Sequence, residues 1–218
     1  HPRVRRQRQM CIRDSNVVMC DFRQGDLIPF DIAIHGALMK SGNDAAAVLA
    51  LFAADNMSDA VALMNKEAKS LGATESNFVN PHGLYNDNHY TTAYDLYLIF
   101  NEAIKYSKFV DTLSCMKYTG SFTRKTAYGD YSIGCSYTNS NGFLTGSYAT
   151  PDGIKVYGGK AGYTEVARRS YVMLAESNNG HKYIIITMRA ESNSLMYKDL
   201  SALLNKIPVD KKSYADNE

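Results

Sequence analysis

The apolar pattern of this chain changes period once, near Lys117, and that change limits the fold more than any other feature. Before it, apolar residues recur at helical spacing. "PFDIAIHGALMK" opens on Pro29, whose fixed φ and missing N–H suit a first helical turn, and it ends at Lys40. From Ala45 to Ala54 nearly every face is apolar, which predicts a helix buried all round. Ser58 and Asp59 start "SDAVALMNKEAKSLG", and Gly72 stands where a left-handed C-cap belongs. Thr92 and Asp95 form a capping box for a helix running to about Tyr106. After Lys117 the segments are short, β-prone and broken by Gly and Asn. "RSYVMLAES" and "KYIIITMRA", joined by "NNG", predict a hairpin. A helix, "SLMYKDLSALLNKI", closes the pattern. No βαβ rhythm occurs, so the expected class is α+β: an antiparallel sheet flanked by helices, with a helical subdomain.

Both ends differ from this body. Residues 1–14 hold five arginines, one aspartate and little that enters a core. They are read as a non-native segment resembling adapter read-through, against the alternative of a basic arm for nucleic acid. Without them the net charge of +2 becomes −2, so no nucleic-acid partner is expected. Residues 15–207 form the expected domain, and 208–218 a polar tail or linker. Of four cysteines, Cys11 lies in the arginine-rich stretch. The other three, Cys20, Cys115 and Cys135, make no CxxC pair or zinc spacing. No window approaches about 20 uninterrupted apolar residues, and no leader pattern is visible.

Two short strings remain for chemistry. In "MKSGNDAAAVLA", Ser41, Asn43 and Asp44 crowd the front of a helix around Gly42. One polar residue suffices for an N-cap, so Ser41 and Asn43 are either caps or site residues. In "GGKAGYT", Lys160 leads into the hairpin; alone it reads as a solvated lysine. His82 and His89, with Asp87 between them, offer no ligand spacing, so no metal and no cofactor are expected. His35 reads as a packed or surface histidine.

Together the strings resemble the D-alanyl-D-alanine carboxypeptidases, the low-molecular-mass penicillin-binding proteins, which share the β-lactamase fold. Their signatures are Ser-x-x-Lys, Ser-x-Asn and Lys-Thr-Gly. "SGNDAAAVLA" resembles the second, "GGKAGYTEVARRSYVMLA" the third, and "MNKEAKSLGATESNFVNPHGLYNDNHYTTAYDL" the segment between. The resemblance implies acylation of a serine by the penultimate D-alanine carbonyl of a peptidoglycan stem peptide, with release of the last D-alanine. Ser41 would relay the proton to the leaving amine. Asn43 would hold the peptide and the catalytic lysine. Lys160 would sit across one cavity from Ser41 and face the substrate carboxylate. Gly162 would keep the edge strand open to a peptide, and the Tyr163 N–H would be an oxyanion donor. β-Lactams would inhibit the intact enzyme, and the location would be the bacterial envelope, reached by export.

Two departures stand out. Ala161 replaces the threonine of Lys-Thr-Gly and lacks its hydroxyl. No Ser-x-x-Lys precedes Ser41. The one present, Ser114-Cys115-Met116-Lys117, follows it in a stretch that reads as a strand entry. The expectation is therefore a chain incomplete at its N-terminus and lacking the nucleophile, its leader and any membrane-associating segment. Two alternatives remain: a class A β-lactamase, for which Glu75 and Asn80 are one residue too far apart, and a non-catalytic peptidoglycan-binding relative.

Overall fold

The computed structural model of the chain describes residues 4–6 and 17–210, with side chains from residue 17 onward. The remaining positions of the arginine-rich segment, Cys11 among them, and the end of the polar tail lie outside the described residues. The chain divides into two units, His1–Ser140 and Asn141–Glu218.

The first unit runs β1 (Val4–Arg6), β2 (Leu27–Pro29), α1 (Phe30–Met39), α2 (Asn43–Ala53), α3 (Met57–Ser70), α4 (Ala93–Ala103), α5 (Ser107–Ser114), β3 (Lys117–Thr126) and β4 (Gly129–Thr138). Its four strands pair antiparallel in the order β1-β2-β3-β4. Side-chain caps set two helix starts. Asn56 and Thr92 each accept the N–H three residues on, from Asp59 and Asp95. Gly72 takes φ +87°, the left-handed conformation that ends α3. The core gathers Ile28, Ile32, Ala33, Val48, Phe122 and Tyr137, with Phe22 edge-on to Phe122 at 5.2 Å. Arg124 reaches from β3 to the buried Asp26 at 2.9 Å, tying the 21–26 turn to the sheet. No single helix among the described residues is long and apolar enough to cross a membrane.

Several expectations need correction. Pro29 precedes α1 as its N-cap instead of opening it. α2 is not buried all round: Asp44, Ala45, Ala47, Val48 and Leu51 are buried, whereas Leu49 and Phe52 are half-buried and Ala53 is exposed. Alanine carries little apolar area, so an alanine run does not demand cover on every side. The fourth helix stops at Ala103, and α5 follows where none was expected, because eight residues are too short to establish a period. β3 and β4 are not short segments. They form one hairpin with ten paired positions.

The second unit contains β5 (Ile154–Thr164), β6 (Arg168–Ser177), β7 (Lys182–Ala190) and α6 (Asn193–Leu204), with the strands antiparallel in that order. The predicted hairpin is β6–β7. Met196, Tyr197, Leu200 and Leu204 of α6 pack with Tyr171, Met173, Ala175 and Ile185 on one face of the sheet. The rings of Tyr148 and Tyr197 lie parallel at 4.1 Å, and the Tyr197 hydroxyl accepts the Gly142 N–H at 2.8 Å.

Gly159 sits where β5 crosses the Tyr171 ring. A Cβ there would stand 2.1 Å from the Val172 carbonyl oxygen and 2.5 Å from the ring. Backbone cannot retreat as a flexible side chain can. Gly159→Ala is expected to cost about 3 kcal/mol or more, read as a lower denaturant midpoint; a change below about 1 kcal/mol would contradict this packing.

Candidate active site

The Ser-Gly-Asn turn lies between α1 and α2. Ser41 adopts φ +61°, a left-handed conformation costing a non-glycine residue on the order of 1 kcal/mol. The turn brings the Gly42 N–H back to the Gly36 carbonyl at 3.0 Å. Neither Ser41 nor Asn43 caps α2. The N-cap is Gly42, with no side-chain bond. Asn43 grips the chain ahead of the sheet instead: its backbone N and its Nδ2 both donate to the Val18 carbonyl, at 2.9 and 3.1 Å. Ser41 is exposed and Asn43 half-buried.

Asp44 organises this turn. Its carboxylate is fully buried and accepts three backbone N–H groups: Cys20 at 2.8 Å, Phe22 at 3.0 Å and its own neighbour Ala45 at 2.9 Å. An acid in the first helical turn also meets the positive end of the helix dipole. The Cys20 sulfur fills the space between two glycines: a Cβ on Gly36 or Gly42 would come within 2.8 or 2.5 Å of it. Burial, then the nearby Asp44, pushes the Cys20 thiol up to about 12, so it is neutral and a poor nucleophile. In the sequence Asp44 reads only as one of three polar residues crowding the helix front, and Cys20 only as a cysteine outside any ligand spacing. An acidic residue in the first turn was the visible signal.

Lys160, Ala161, Gly162 and Tyr163 lie on β5, an edge strand, opposite Val172, Tyr171, Ser170 and Arg169. Lys160 is half-buried, its ammonium donates to the Ala161 carbonyl, and burial pushes its pKa down to about 8. Ala161, Gly162 and Tyr163 are exposed. Space beyond Gly162 is open, so the fold itself does not demand glycine there. Ser41 and Asn43 thus share one turn of the first unit, and Lys160 to Tyr163 share one strand of the second.

The remaining candidates take other places. Ser114 ends α5, where its hydroxyl donates to the carbonyls of Val110 and Asp111, and Lys117 opens β3. The expected strand entry is therefore a helix end for its serine. His35 is packed, donating Nδ1–H to the Asp31 carbonyl at 2.6 Å and stacking on Tyr118 at 3.7 Å. His82 and His89 use Nδ1 to accept backbone N–H groups of their own loop, from Leu84 at 3.3 Å and Val79 at 3.2 Å. Asn80 spends its amide inside the same loop, on Leu84 and Gly83.

Comparison with known proteins adds a family. A family profile described as D-alanyl-D-alanine carboxypeptidase matches residues 7–192. D-alanyl-D-alanine carboxypeptidase DacF of Bacillus subtilis is 33% identical over 68% of this chain and 34% of its own length. DacA of Escherichia coli is 32% identical over 66% of this chain, again 34% of its own. The chain spans about a third of the length of these curated relatives. Among solved structures, a Streptomyces DD-transpeptidase superposes with a TM-score of 0.74 at 25% identity, over 87% of this chain and 71% of that one. A Mycobacterium tuberculosis D-alanyl-D-alanine carboxypeptidase gives 0.70 at 25%, over 89% and 69%.

Two expectations follow from the geometry. Asp44→Ala leaves the Cys20 and Phe22 N–H groups buried without an acceptor. It should cost about 3 kcal/mol or more and speed amide exchange at both residues; unchanged exchange would remove Asp44 from its organising role. Burial lowers the pKa of both His82 and His89 below the ordinary 6.5. Their stabilisation is therefore complete above 6.5 and is lost as pH falls through the lowered values. Acidification from about 7 to about 5 should raise exchange at Val79 and Leu84 ahead of the core amides, because a protonated Nδ1 no longer accepts.

Proposed function

The chain belongs to the D-alanyl-D-alanine carboxypeptidase family, and from that premise we propose that its two motifs serve serine-type D-Ala-D-Ala carboxypeptidase chemistry on peptidoglycan stem peptides, in the bacterial envelope. The observation that supports the reading is the Ser41–Asn43 turn, in which surrounding contacts hold Ser41 at φ +61°. Strain of this kind persists where surrounding contacts over-determine it, and it gathers at functional sites.

In this reading the scissile bond joins the last two D-alanines. A serine hydroxyl attacks the penultimate carbonyl, the tetrahedral oxyanion collapses, and the terminal D-alanine leaves as a protonated amine. Ser41 passes the proton to that amine. Asn43, with one Nδ2 proton committed to Val18, offers Oδ1 and its second Nδ2 proton to peptide or lysine. Lys160 supplies positive charge below its pKa of about 8, where the terminal carboxylate carries negative charge. The Tyr163 N–H, on the exposed end of an edge strand, donates to the oxyanion.

The attacking serine is not Ser114. Its hydroxyl is spent on α5 carbonyls, and Lys117 lies in a different element, so the pair lacks the shared helical face that a serine and its lysine base need. We propose that these 218 residues by themselves are not acylated. The second reading, a peptidoglycan-binding relative without turnover, is favoured by Ala161. A class A β-lactamase fits less well, since Asn80 spends its amide within its own loop.

Incubation with a fluorescent penicillin separates these readings. No labelling of the purified chain is expected. Stable labelling would overturn the claim that it is not acylated, and rapid drug turnover would favour the β-lactamase. A diacylated L-Lys-D-Ala-D-Ala peptide should in parallel shift the amide resonances of both Asn43 and Gly162; shifts at neither would overturn the peptidase reading.

A further inference from the structure

Within the first unit, the outer face of α4 carries tyrosines where a surface helix ordinarily carries charge. Tyr94 and Tyr97 are 64% and 40% exposed, with ring centroids 6.0 Å apart and planes 30° from parallel. Asn101 follows on the same face and is also exposed. Tyr85 and Tyr90, 55% and 56% exposed, stand on the loop that leads into the helix. An exposed phenol offers an apolar ring face with a hydroxyl at its rim, and it loses little side-chain freedom when covered.

Charge narrows what covers this face. Residues 70–104 contain no lysine or arginine and four acids, Glu75, Asp87, Asp95 and Glu102. That negative field disfavours an anionic lipid surface and a second copy of the same face. It offers a cation little, because three of the acids are engaged. Asp87 accepts the Tyr85 hydroxyl, Asp95 accepts the Glu75 N–H and the Ser76 hydroxyl, and Glu102 pairs with Lys105 at 2.6 Å. The complementary ligand is uncharged, with apolar ring faces and polar edges.

We propose that the Tyr94–Tyr97–Asn101 face binds an uncharged chain of N-acetylated amino sugars, the glycan that bears the stem peptides. The inference rests on the peptidase reading above for the identity of the glycan. Tyr94 and Asn101 lie about 10 Å apart along the helix, the span of about two linked sugar rings. The C–H faces of the sugars lie on the two phenols, and the Asn101 amide exchanges a donor and an acceptor with an acetamide group.

The test titrates the 218-residue chain with tetra-N-acetylchitotetraose, an uncharged β-linked amino-sugar chain, and follows its amide resonances. Shifts centred on residues 93–101 and saturating at millimolar concentration are expected. Tyr94→Ala should weaken binding about fivefold and Tyr94→Phe much less, since alanine on an exposed helix face leaves α4 intact and phenylalanine keeps the ring. No shift in α4 at about 10 mM sugar would overturn the glycan site. The L-Lys-D-Ala-D-Ala titration, read at Asn43 and Gly162, reports on the peptidase reading separately. Binding of the fully deacetylated, cationic tetramer about tenfold more tightly would also overturn the site, since the face would then select charge. So would α4 shifts that grow with protein concentration alone or with phosphatidylglycerol vesicles, which would give the face to a second copy or to a lipid surface.

Discussion

The buried carboxylate of Asp44 is the constraint on which the first motif depends. It collects N–H groups from two places, the extended chain at Cys20 and Phe22 and the first turn of α2 at Ala45. An ionised group without solvent contact is costly unless its lone pairs are met, and here backbone donors meet them. The consequence reaches beyond Asp44. The chain from residue 18 to 22 is drawn along the helix front, which places the Val18 carbonyl to receive both donors of Asn43. Asn43 is thereby fixed, and Ser41, one residue beyond Gly42, is left in a conformation it would not choose alone. α2 starts without a side-chain cap because an acid in its first turn does comparable work from inside.

What the sequence revealed was what local residues decide. Asn56 and Thr92 cap their helices from three residues away, and Gly72 turns the chain by its own freedom. The β6–β7 hairpin reads from its alternation and its turn. The capping box at Thr92 was legible only by half. Thr92 accepts the Asp95 N–H, but the Asp95 carboxylate turns to the Glu75 N–H at 2.9 Å and the Ser76 hydroxyl at 2.7 Å. Tertiary partners outbid the local one.

The two candidate motifs were legible as strings for the same reason, and their geometry was not. Asp44 accepts from backbone N–H groups 22 and 24 residues earlier, and the N–H of any residue but proline would donate equally well. No residue pattern marks such a contact. Glycines on β5 show the opposite problem. Gly159 and Gly162 look alike in the sequence, yet one is required by a carbonyl oxygen and a tyrosine ring, and the other has open space beside it. Only the second leaves a surface along which another peptide backbone can run.

Cys20 shows how tightly one part of this chain is interlocked. Its sulfur occupies a slot whose walls are two glycines from different segments, Gly36 within α1 and Gly42 at the start of α2. Enlarging either wall evicts the thiol, and a bulkier residue at position 20 pushes both helices apart. The three positions therefore constrain one another's size: added bulk at one demands lost bulk or displaced backbone at another, a dependence that involves no catalytic group.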